Sequence, residues 1–463
     1  MFLAGALAGA SLAACSAGLP PAAVRLPEPP EPTAVPDALD PVDFGAAGDG
    51  ETDDSAALQE AIEAAAGGGA VGLGDRRYLV GNVRLRSGTR IVGPGTLVFR
   101  PGARHALTVN PGTGGTSDPA RNVRDITIDG VDFEGRSREG FAEYEYQIWL
   151  SAVSDVTIRA CRFTAFQGDA IMIGSGEQAG VERHNQRLRI LDCRFDGVNK
   201  QNRNAVSIID AARVEIRRCG FTRCSRPDMP GPIDIEPNPQ DRTAVLADIA
   251  ITDNVFSDVG GNVAAVSLAI TPPVLDRPLS GLVVRGNTFS GYPRSAVRLA
   301  WEKRNASGSD RPSRAVVEDN TVTAGGLYFC ELYGLRDITV RRNRVTRATN
   351  TGAQIGLRDR RCVDVTISDN VWTNVAARSG ATVAAAECDR LVVDGNQVEG
   401  PHPSVLVSLS TGGSTSALTV TDNRLPDGMA VADLETGHET TPSSNVARGN
   451  GAAAVDRAVF AGV

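Results

Sequence analysis

The segment Gly231-Pro232-Ile233-Asp234-Ile235-Glu236-Pro237-Asn238 holds two carboxylates two residues apart, with a proline on either side. On an extended strand that spacing puts both side chains on one face, roughly 7 Å apart. Such a pair can work as general acid and general base with a water between them. It could equally ligate a hard cation such as calcium, and outward acids can also do no more than keep a surface soluble. Asp234 and Glu236 are therefore the candidate catalytic pair, with Asp169, in Gln167-Gly168-Asp169-Ala170, as an assisting carboxylate. Arg298 could grip a carboxylate through both guanidinium nitrogens or be an ordinary surface cation. Lys200 and His184 could act as a base or substrate contact, or stand by in solvent.

Elements must bring these residues together, and a repeat does so. The position after each short apolar-alternating strand reads Val131, Cys161, Cys193, Cys219, Asn254, Asn287, Asn320, Asn343, Asn370, Asn396, Asn423 and Asn450. The strands include DITIDGVDF, DVTIRACRF, DIAITDNVF and ALTVTDNRL. Their period of two excludes a helix, and the unequal intervals indicate solenoid coils with loops of different length. Asn suits the bend because it tolerates left-handed backbone and can hydrogen-bond from coil to coil. The fold expected is all-β, a right-handed parallel β-helix of about a dozen coils closed by a short N-terminal capping helix. Aligning the strand upstream of each turn gives an outward file of Trp149, Met172, Ser207, Asp234, Ser267, Arg298 and Tyr328. Trp149 then stands three rungs from Asp234, ~14 Å at the parallel-strand spacing.

A net charge of −8 argues against nucleic acid as the main partner, which calls for a basic stripe. Gly 50 and Pro 26 suit a turn-rich chain. Residues 1–15 are small and apolar and end Leu12-Ala13-Ala14-Cys15, which looks like a lipoprotein signal with Cys15 as the lipidation site. Residues 16–40, with seven prolines from Pro20 to Pro36, read as an extended tether, and 41–463 as the β-helix. The expected location is the outer face of the cell envelope, with membrane contact only through the lipid. Cys161, Cys193 and Cys219 share one slot, and Cys362 and Cys388 another. Stacked thiols are favoured there over strained disulfides or a metal.

Between tether and coils, Asp43-Phe44-Gly45-Ala46-Ala47-Gly48-Asp49-Gly50 leads into Thr52-Asp53-Asp54-Ser55, a cluster suited to capping a helix start. Leu58, Ala61, Ile62 and Ala65 follow on one face, able to plug an open core. This run, with Arg90-Ile91-Val92-Gly93-Pro94-Gly95, resembles the entry motif of the pectate lyase superfamily, which includes polygalacturonase-like enzymes. The resemblance implies a polysaccharide lying along one sheet, with no cofactor unless calcium. It implies cleavage, by hydrolysis or elimination, of a glycan that could contain uronate, with uronate epimerisation and non-catalytic glycan binding as alternatives.

Residue by residue the match is partial. Asp169 fills the second aspartate slot of the polygalacturonase motif, but Gly168, Tyr146 and Asn204 stand where two aspartates and a histidine belong. Under the resemblance, Trp149 and Tyr328 would stack on sugars, Arg298 would hold a uronate, and Asn204, Ser207, Lys200 and His184 would line the site. Hydrolysis through Asp234 and Glu236 is the leading expectation.

Overall fold

The computed structural model describes residues 24–109, 118–175, 183–271, 275–302, 312–357, 359–375, 380–450, 454–455 and 458–460. The signal-like segment 1–15 with Cys15, and residues 16–23 of the tether, lie outside the described residues.

Each coil has three strands, as Val206–Ile208, Ala211–Arg217 and Gly220–Thr222 show for one turn of the solenoid. These belong to a first, second and third sheet, and each strand pairs in parallel with its equivalents in the coils before and after. The third sheet alone runs to 13 strands, in agreement with about a dozen coils. Alternation sets the core: Val214 and Ile216 are buried, while Glu215 and Arg217 between and after them are partly exposed. The register stacks like on like. Phe133, Phe163, Phe195, Phe221, Phe256 and Phe289 form one column with ring centroids 4.7–4.9 Å apart, the spacing of the strands that carry them.

The turn from second to third sheet departs in one detail from the sequence reading. The left-handed residue is the one before each Asn: Asp253, Asp319, Arg342, Asp369 and Asp422 have φ of 53–57°, and Gly286, Gly395 and Gly449 fill the other coils. The Asn itself supplies the coil-to-coil bonds. In Asn287, Asn320, Asn343 and Asn370, the backbone N–H and Nδ2 both donate to the Oδ1 of the next Asn at 2.9–3.1 Å. Each Nδ2 also donates to a core carbonyl such as Ile251 O or Val284 O, so these four ladder amides are paired through both groups. Cys161, Cys193 and Cys219 take this slot in earlier coils as free buried thiols. Cys362 pairs in register with Cys388, also unbridged.

The helix Ser55–Ala64 covers the first coil with Ala57, Leu58, Ala61 and Ile62. Asp54 occupies the N-cap position, but its carboxylate accepts from Ala47 N–H and Gly48 N–H rather than from the helix. Residues 24–40 are extended and lie against the coils. Thr33 N–H donates to Asp129, Glu28 pairs with Arg194 at 2.6 Å, and Leu26 lies over Gly220. Gly130 admits Pro32, since a Cβ there would come within 2.4 Å of the ring.

Candidate active site

Strand register on the first sheet places Thr108, Trp149, Met172, Ser207, Asp234, Ser267, Arg298 and Glu331 in one outward file. The last member corrects the sequence alignment. Tyr328 pairs with Ser295, three residues earlier, and accepts a hydrogen bond from Asn350. Cys330 and Leu332 are the residues that continue the inward rows of Val297 and Leu299. Counting Cys as core would have found this register.

The file is not an open groove. Ser207, Asp234, Ser267 and Glu331 are each at most 1% exposed although they point away from the core. The long connection from third to first sheet roofs them at the central rungs. There Arg203 reaches over Asp169 at 3.0 Å and Ser207 Oγ at 3.2 Å, with Asp234 at 4.0 Å and Glu143 at 3.9 Å. Asn204 is pinned beneath it. Its N–H donates to Asp169, its amide nitrogen donates to Gly231 O at 2.8 Å, and its amide oxygen accepts from Ser207 Oγ at 2.9 Å. Asn204, Ser207 and Asp169 are therefore sealed supports, unable to touch a substrate as the sequence reading had them do.

Asp234 and Glu236 share the outward face, as their spacing requires. Glu236 stands near enough for its charge to act on the Asp234 carboxyl. Asp234 Oδ1 is buried with no donor among the described residues, which favours the protonated carboxyl over the carboxylate. Burial pushes the Asp234 carboxyl well up, and the neighbouring Glu236 charge adds to it. Glu236 is raised too, by burial, with the Arg203 guanidinium opposing. Asp169 is raised by burial, against the same guanidinium. Arg203 is itself held more firmly charged, chiefly by Asp169 and then by Asp234. Like charges this close ionise together only at a cost, so the pair favours holding one proton, and Glu236 is the member that faces outward.

Only Glu236 of the pair opens to a cavity. This pocket, of about 660 Å3, is lined by Tyr144, Tyr146, Trp149 and Met172 on one side and by Arg203, Met229, Pro230 and Pro237 on the other. Trp149 and Tyr146 meet edge to face with centroids 5.7 Å apart. His105 stacks on Tyr146, and burial lowers its pKa to about 4, so it is neutral packing for that wall. The size and the largely apolar lining with a few polar groups suit a small ligand or a chain end.

Other candidates fall elsewhere. His184 Nδ1 meets Asp210 at 2.9 Å at the corner between first and second sheets, outside the pocket lining. Lys200 pairs with Asp258 at 2.6 Å at the corner between third and first sheets. Arg298 pairs with Glu302 at 2.7 Å and lies over the Tyr333 ring, so its guanidinium is already engaged. The suggested calcium site does not fit. Calcium takes six to eight oxygens, yet no group of three His, Cys, Asp or Glu side chains is arranged to hold a metal among the described residues. A guanidinium also stands beside the pair. Sequence reasoning missed Arg203, Tyr146 as a wall residue, and Glu331. Arg203 carries a faint signal, an Arg in the connection four residues before the outward Ser207. Glu331 is gripped by Arg294 at 2.7 and 2.9 Å and by the Tyr333 hydroxyl at 2.6 Å, a buried structural node.

Two family models match. One, described as rhamnogalacturonase A/epimerase, pectate lyase-like, covers residues 41–226. The other, described as right handed beta helix region, covers residues 148–425, more than half of the chain. The chain belongs to the right-handed β-helix family, and its residues 41–226 are similar to the pectate lyase-like model. No curated protein matches it. Among solved structures it is similar to the catalytic unit of a GH87 α-1,3-glucanase from Streptomyces thermodiastaticus, at 13% identity and TM-score 0.54 over 90% of this chain and 71% of that one. It is also similar to the surface adhesin PfbA of Streptococcus pneumoniae, at 16% identity and TM-score 0.52 over 90% and 99%. A third is the tailspike of E. coli bacteriophage HK620, crystallised with a hexasaccharide, at 14% identity and TM-score 0.50 over 86% and 78%. At these identities the likeness is one of fold.

Proposed function

We propose that the protein is a carbohydrate-active enzyme that hydrolyses a glycosidic bond in the pocket at Glu236. The observation that carries this reading is the carboxyl pair itself, one member sealed under the roof and the other facing an aromatic-walled cavity, with burial raising the pKa of both. In the reaction, Glu236 protonates the leaving oxygen as the bond to the sugar carbon breaks, and the pair's shared proton is consumed. Both carboxylates are then ionised beside Arg203, which offsets their charge. Water adds to the sugar carbon and its proton returns to the pair, so atoms and charge balance over the cycle. Asp169 acts through Arg203 and takes no proton. An exported, lipid-anchored enzyme acting outside the cell fits residues 1–15, and fractionation with palmitate labelling of wild type against Cys15→Ser tests it.

The test is turnover on a panel of polysaccharides and oligosaccharides, reading reducing ends and unsaturated products in parallel. Reducing ends without absorbance near 235 nm, lost in Glu236→Gln, are expected; unsaturated ends would make the enzyme a lyase. One observation favours a second reading. Asp234 is sealed from the cavity, so it cannot activate an attacking water there as the second carboxylate of an inverting pair does. A protein that binds glycan at this pocket without cleaving it would show affinity and no turnover on every member of the panel.

A further inference from the structure

We infer that the pocket at Glu236 takes an uncharged sugar and discriminates against uronates. This rests on the site proposed above and goes beyond it by naming the substrate class. A uronate in a buried site needs a guanidinium or ammonium free to pair with its carboxylate. Among the described residues, each interior cation on this face is already committed. Arg203 spans Asp169, Asp234 and Glu143, and removing it from them would leave Asp169, fully buried, without its counter-charge. Arg298 is paired with Glu302, which also holds Arg360 at 2.5 Å. Arg294 is clamped on Glu331 by two hydrogen bonds. In the lining, Asp228 is matched by Arg226 at 2.9 Å and Arg203 is shared among three acids, so Glu143 and Glu236 leave the described lining short of cations, with Arg104 exposed at the edge. A sugar carboxylate would enter against those two acids.

The rest of the lining suits a neutral ring. Tyr144, Tyr146 and Trp149 offer flat apolar surface for the C–H face of a pyranose, with Met172, Ile209 and Met229 closing around it.

The experiment is calorimetric titration of the whole protein, wild type and Arg104→Gln, with neutral glucan and galactan oligosaccharides and with oligogalacturonate and oligomannuronate, at low and high salt. Neutral oligosaccharides are expected to bind at least tenfold more tightly, with Arg104→Gln unchanged and with salt narrowing the gap by screening the repulsion. Uronates binding as tightly as neutral chains, or more so, and losing that affinity in Arg104→Gln, would overturn the inference. Cleavage of a uronate chain at Glu236 would overturn it while leaving the hydrolase reading intact. Neutral binding without turnover would support it and remove the hydrolase reading. Binding of neither class would overturn both.

Discussion

The first and second sheets follow the same rule of alternation and reach opposite ends with it. On the second sheet the outward file Thr127, Thr157, Arg189, Glu215 and Ala250 stays partly exposed, and its charges sit in solvent-facing pairs such as Arg187 with Asp155 and Arg217 with Glu215. On the first sheet the equivalent file is roofed by the connections that precede it, and its acids are buried beside guanidinium partners, Asp234 by Arg203 and Glu331 by Arg294. The sheets differ little in pattern; the loops differ. The turn from second to third sheet is short and repeated, and the connection from third to first is long and irregular. Roofing a polar file converts surface charge into perturbed acidity, the property that acid–base chemistry requires.

The largest effect that tests this contrast is on turnover. Glu236→Gln should lower kcat by about 100-fold or more, within the range for general acid–base residues, while Glu215→Gln on the second sheet leaves it unchanged. Equal loss in both would erase the distinction. Stability comes next. Arg203→Met strands buried carboxylates and should cost about 3 kcal/mol, measured by urea unfolding. Arg187→Met breaks a pair whose members are both exposed and should cost under about 1 kcal/mol. Similar costs would mean that the roof does not desolvate the first-sheet charges.

The two sheets should also respond to pH with opposite sign. Asp169, Asp234 and Glu236 have raised pKa in the fold, so they bind protons more tightly there than when unfolded. The stability they contribute is complete below the ordinary carboxylate range and is lost as pH rises through their folded values. Asp155, lowered by its hydrogen bond to Arg187, contributes stability above the ordinary range that is lost as pH falls through its folded value. Asp234→Asn should therefore flatten the alkaline limb of the melting temperature against pH, and Asp155→Asn the acid limb. A smaller effect is expected from Gly174→Ala. A Cβ there would stand 2.7 Å from Trp149 Nε1, displacing the indole and raising KM several-fold with kcat nearly intact.

Periodicity alone was enough to specify the coil, the apolar rows, the Asn ladder and the outward direction of Asp234 and Glu236. Those features depend on residues close in sequence or repeated at each turn, and parallel pairing carries them from coil to coil without further information. Tyr328 was misplaced because an apolar run containing Cys330 admits two alternations, and only pairing with Val297 and Leu299 selects one. What covers the file, which carboxyl faces the cavity, and how Arg203 joins Asp169 to Asp234 were decided by tertiary structure. They depend on where irregular loops fold back over a sheet. A loop has no period, so its path and the water it excludes are set by contacts between residues more than thirty positions apart.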